Sequence, residues 1–215
     1  MTKSILWLII GCTLFSSSLF AQQIFKGKLS YRVTQSNPSD SLSETHGHII
    51  TDGKKFRHCL MNPLKGKEEI VFEADKKIVY LVKHRTKKIL KAKLPTKFFG
   101  NNSKVTVQHT EEIKKIANET ARKTIVYERG IKAAEIWISD RYKWNLTGKY
   151  GVNHVLYGIS SVLFHDHIIL EIQAYDASRK AQKKIVVSHL DKGNIPPHTF
   201  DLPKGFKIID KTKKR

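Results

Sequence analysis

Phe25-Lys26-Gly27-Lys28-Leu29-Ser30-Tyr31-Arg32-Val33 is the stretch on which the fold turns. It alternates without a break, with Phe25, Leu29, Tyr31 and Val33 on one face and Lys26, Lys28, Ser30 and Arg32 on the other. A period of two is the mark of a strand with one apolar and one wetted face. After the turn residues Asn37-Pro38-Ser39-Asp40-Ser41, segments 44–51 and 54–61 flank Asp52-Gly53, a strong hairpin signal. Segments 68–74, 77–83 and 87–93 continue the series around Asn62-Pro63 and Asp75, and Pro95 ends it. Short strands joined by brief polar turns predict an antiparallel meander.

Further strands are expected at 111–117, 122–127, 132–139, 168–175 and 183–189. Val155, Leu156, Ile159, Val162 and Leu163 are spaced three and four apart, which predicts a short helix over 153–164. The chain then passes Ile195-Pro196-Pro197 and Phe200 to Phe206 and ends in a basic tail from about 207. No internal repeat stands out.

Upstream of the first strand, Lys3 precedes an apolar run from Ile5 to Phe20, and Ala21 stands where polar sequence resumes at Gln22-Gln23. This reads as a secretory signal peptide over 1–21, cleaved after Ala21. The apolar stretch is too short and too poorly flanked for a stop-transfer span, so no transmembrane segment is expected. Ile9-Ile10-Gly11-Cys12 loosely resembles a lipobox, so a form lipid-anchored through Cys12 is the alternative. Export places residues 22–215, a single domain, in the periplasm or outside the cell.

The net charge is +20 over the full chain, and loss of Lys3 leaves +19. Such an excess favours an anionic partner, whether lipid, lipoprotein or glycan, and permits peripheral membrane contact. Export argues against nucleic acid. Once Cys12 is removed, Cys59 has no disulfide partner, and its apolar neighbours predict a buried, inert thiol.

The strand beginning at Phe25, the Thr51-Asp52-Gly53-Lys54-Lys55-Phe56-Arg57 hairpin and Lys77 to Val82 follow one another in an order similar to the LolA/LolB-like superfamily. Ala134 to Asp140 and Phe200 to Phe206 extend the resemblance, most closely to the uncharacterised secreted bacterial relatives of that superfamily. The resemblance implies an α+β, mainly β fold: a curved antiparallel sheet, or half-barrel, with a few helices over its concave face. Carriers of that type hold acyl chains there.

Leu29, Tyr31, Phe56, Tyr80, Ile136 and Trp144 are the ligand-cavity candidates, with Ile78 in the same alternating set. Tyr80 and Trp137 also fit an ordinary core, and Trp144, between Lys143 and Asn145, is expected at a mouth or interface. Two His-x-His pairs, His46 with His48 and His165 with His167, each place two imidazoles on one strand face and are weak metal candidates. No spacing assigns a third ligand, so no cofactor is expected. The sequence holds no serine elbow and no recognisable partner that would activate a cysteine, and no catalytic residue is assigned. The expected function is a non-enzymatic carrier or chaperone for an amphiphile. The alternatives are a basic envelope interaction module and, third, a metal-binding protein.

Overall fold

The computed structural model describes residues 22–36, 42–62, 66–73, 75–93, 105–144, 166–175 and 181–212. Among these, 13 strands join one sheet. In chain order they are β1 (Gln23–Ile24), β2 (Gly27–Ser36), β3 (Leu42–Thr51), β4 (Lys55–Asn62), β5 (Gly66–Glu73), β6 (Ile78–Lys83) and β7 (Lys88–Lys93). They continue with β8 (Val105–Ile116), β9 (Glu119–Glu128), β10 (Ile131–Lys143), β11 (His167–Tyr175), β12 (Ala181–Lys192) and β13 (Lys207–Asp210). The spatial order is β13-β7-β6-β5-β4-β3-β2-β12-β11-β10-β9-β8. Two meanders are thus sewn together where β12 pairs antiparallel with β2.

Turn chemistry sets the registers. In the β3–β4 hairpin, Gly53 takes φ +90 while Asp52 Oδ1 accepts hydrogen bonds from the Lys54 and Lys55 amides. The β8–β9 turn at Ala117-Asn118 and the β9–β10 turn at Arg129-Gly130 hold both central residues at positive φ. Two-residue hairpins of type I′ require this.

Each antiparallel partner shares its partner's face, so the registers sort every side chain. Leu29 lies beside Ile49, Ile49 beside His58 and Phe56 beside Phe72, and Phe72 lies beside Val79. On the other arm Val33 lies beside Ile185, Ile185 beside Ile172 and Ile172 beside Ile136. This is the inner face, and its buried members form one apolar cluster. Each fully buried aliphatic side chain there contributes about 1.5–3 kcal/mol.

That face is concave. Phe56 on β4 and Trp144 just past β10 belong to strands five steps apart, roughly 24 Å in a flat sheet. Their rings nonetheless sit 5.5 Å apart, edge to face. The sheet curls to bring them together, helped by register shifts in β8–β9, β9–β10, β10–β11 and β12–β2 that increase local twist. The architecture is therefore the open, curled, mainly antiparallel half-barrel that the resemblance implies.

The described residues carry only two helical elements, the 3-10 turns His84–Thr86 and Pro197–Phe200. The expected helix over 153–164 and the signal segment 1–21 lie outside the described residues. Residues 207–210, expected to begin a basic tail, form β13 and pair parallel with β7. Ahead of them, Arg57 donates to the Asp201 carbonyl and Phe206 meets the His84 ring edge-on at 5.4 Å. The C-terminal segment thereby straps the outer side of β4 to β7. The outer-face residues Val71, Val82 and Ile89 are buried outside the main cluster.

Candidate functional site

Among the described residues the concave face is plugged by aromatic rings at one end and less covered at the other. At the plugged end Phe25 stacks edge to face on Tyr142 and Trp144, with centroids 5.7 and 6.1 Å away, and Phe56 packs on Phe72 at 6.2 Å. The backbone fixes this aromatic plug: the Phe25 amide donates to the Lys143 carbonyl at 2.9 Å, and β1 pairs with the end of β10. Trp144 is therefore not at a mouth. It is 1% exposed, because its ring packs edge to face against both Phe25 and Phe56.

Moving away from the plug along β2, β4 and β5, burial falls. Leu29, Ile49 and Ile136 are fully covered, whereas Val33, Leu60, Ile70, Leu81 and Leu90 are half-buried. Registers place Leu60 with Gly47, Ile70 with His58 and Leu81 with both Ile70 and Leu90. The arm β4 to β7 thus presents a half-covered apolar strip between the plug and the rim. At the rim the same face turns polar through Glu68, Lys83 and Lys88.

The cavity candidates divide. Leu29, Tyr31, Phe56 and Ile136 share the inner face and the main cluster with Trp144. Tyr80 and Ile78 do not join them: Tyr80 pairs with Val71 and Lys91, and Ile78 with Glu73, on the outer face. The physical reason is that Ile78-Val79-Tyr80-Leu81-Val82 is apolar throughout, so sequence carries no parity, and the register hands the inner face to Val79 and Leu81. The residues that sequence reasoning missed are therefore Val79 and Leu81, with Leu60, Ile70 and Leu90 beside them. The only available signal was cross-strand pairing from the Asp52-Gly53 turn outward.

One polar pair interrupts the inner face. Tyr31 Oη and His58 Nε2 share a short hydrogen bond between buried side chains, their rings 5.8 Å apart. Burial, and secondly the charge of His48, lowers the His58 pKa to about 4, so the ring is neutral at pH 7. Burial, and then Cys59, raises that of Tyr31 well above the usual phenol range. Gly47 opposite Tyr31 is required by space: a Cβ there would collide with the phenol and lie 3.0 Å from the Cys59 carbonyl oxygen.

That geometry also explains the first His-x-His motif. Gly47 faces inward under Tyr31, which sends His46 and His48 to the outer face. His46 is exposed and pairs with Glu44 at 3.1 Å. His48 stands beside Cys59, and Cys59 beside Glu69. Burial, and then Glu69, pushes the Cys59 thiol up to about 11, so it is unreactive at neutral pH. Burial alone would raise Glu69, but the hydrogen bond from Lys67 and the charges of Arg57 and His84 hold its carboxyl below the usual range. His167 lies on β11, three strands from β3, with its Nδ1 3.4 Å from Gln22 Nε2. His165 is outside the described residues. Among the described residues no three His, Cys, Asp or Glu side chains converge as a metal site.

No family model and no curated protein matches the sequence. Among solved structures the chain is similar to an uncharacterized conserved protein from Thermus thermophilus. That match has 12% identity and a TM-score of 0.51, and it covers 86% of this chain and 91% of that one. Other matches include a LolA superfamily protein from Nitrosomonas europaea, with 10% identity, a TM-score of 0.38 and coverage of 85% and 92%. A chain of the Pseudomonas aeruginosa MucA/MucB complex matches with 9% identity, a TM-score of 0.46 and coverage of 85% and 57%. Identities this low establish fold alone, and the Thermus structure is the one of the three whose superposition supports it.

Proposed function

We propose that this protein is an exported, non-enzymatic envelope carrier that binds the apolar part of an amphiphile, a lipid or lipoprotein acyl chain, along its concave face. The observation that carries this reading is the half-covered apolar strip Leu60, Ile70, Val79, Leu81 and Leu90, lying between an aromatic plug and a polar rim. An acyl chain needs an extended apolar wall and no partner for hydrogen bonding, while its head needs an adjacent wet rim. No helix among the described residues is long and apolar enough to cross a membrane.

The test is titration with an environment-sensitive acyl probe. Wild type should give a saturable signal that unlabelled fatty acid competes away. Leu81→Glu and Ile70→Glu, at half-buried positions, should weaken it at least about tenfold. Met61→Glu, exposed on the outer face beside His46, should not. Absence of a saturable signal in wild type would leave the basic interaction module as the better account.

A further inference from the structure

We propose that a cleft at the rim of β5 and β6, beside the 3-10 turn His84–Thr86, is a binding site for a phosphate group. The cleft has a volume of about 220 Å³ and is lined by Lys67, Glu68, Lys83, His84, Arg85 and Thr86. It goes beyond the carrier reading and does not rest on it.

Charge is arranged there in an unusual way. Lys83 lies directly opposite Lys88 across β6–β7, and Lys88 lies directly beside Lys207 across β7–β13. Like charges facing one another across strands destabilise a sheet. Three lysines in a row on adjacent strands need a counter-charge, and the protein supplies little. Glu68, the partner of Lys83 on β5, is the only carboxylate among the described residues that line the cleft. Glu69, next in sequence, is already engaged by Lys67, Arg57 and His84. Neither Lys83 nor Arg85 makes an ion pair among the described residues.

The shape also suits a tetrahedral oxyanion. His84–Thr86 forms a 3-10 turn closed by Lys87 at φ +48, and Arg85 and Thr86 line the same cleft as Lys83. Phe206 meets the His84 ring edge-on, and His84 Nε2, 3.4 Å from Glu69, makes no well-directed hydrogen bond. A phosphate monoester or diester offers several acceptor oxygens and at least one negative charge, which matches a guanidinium, an ammonium and a hydroxyl converging on one concavity. Two sources carry this group: an anionic phospholipid head and a soluble phosphate compound.

The experiment uses the full mature chain with two probes. One is glycerol phosphate, titrated by calorimetry at fixed ionic strength. The other is sedimentation with phosphatidylglycerol vesicles against phosphatidylcholine vesicles. Lys83→Gln with Arg85→Gln should weaken binding at least about tenfold. The control pair Lys54→Gln with Lys115→Gln removes the same charge from exposed positions elsewhere. Urea unfolding of both variants checks that they fold. Loss of glycerol phosphate binding in the rim variant supports a soluble phosphate ligand, and loss of phosphatidylglycerol binding alone supports a lipid head. Equal loss in the rim and control variants, or no binding of either probe by wild type, overturns the site whatever the acyl probe does.

Discussion

Gly47 and His58 are the residues where the inner face is least forgiving. Gly47→Ala would drive a methyl group into the Tyr31 phenol, which cannot retreat because it is buried and tied to His58. We expect a loss of about 1–3 kcal/mol in urea unfolding. His58 couples stability to pH. Its folded pKa, about 4, lies below the ordinary value near 6.5, so the unfolded chain binds the proton more readily between those values. Its contribution is therefore complete above about pH 6.5 and lost as pH falls toward 4. Between pH 7 and pH 5 the wild type should lose about 2 kcal/mol from this group, and His58→Gln should show a flatter profile.

Among the elements, the C-terminal strap is the one whose removal tells most. Phe200 is 5% exposed although it lies in a short 3-10 turn well outside the meanders, and it is absent from the main cluster. Phe200→Ala should cost about 3–5 kcal/mol, read as a shift of the urea midpoint. If the midpoint does not move, the strap contributes little to burying the outer side of β4 to β7. On β7, Lys88→Gln relieves the facing lysines, so without added phosphate it should raise the midpoint slightly at low salt and lose that advantage at high salt.

For the whole molecule, the net charge of +20 and the curled apolar face predict two separable dependences. Attachment to anionic vesicles should fall steeply as salt rises, because exposed charges are screened within about 10 Å at 0.1 M. Acyl-probe binding should persist at high salt, because burial of apolar surface is not screened. If both fall together, the apolar strip and the basic surface form a single binding event.

The strand series was written into the sequence because one-sided burial imposes a period of two, and Phe25 to Val33 shows it plainly. The Asp52-Gly53 hairpin was legible for a similar local reason, since its turn demands a backbone that glycine supplies. Composition likewise set the strong positive charge. Tertiary structure decided what local pattern cannot encode. Ile78 to Val82 is apolar on both faces, so pairing with β5 alone determined that Val79 and Leu81 face inward and Tyr80 outward. Trp144 sits between polar residues in sequence, yet curling of the sheet carries it onto Phe56 from five strands away. The lysine row across β6, β7 and β13 joins positions 83, 88 and 207, and only the parallel return of the chain end brings the last of them into place. Periodicity reports which residues are buried, but which surfaces meet is set by long-range pairing and curvature.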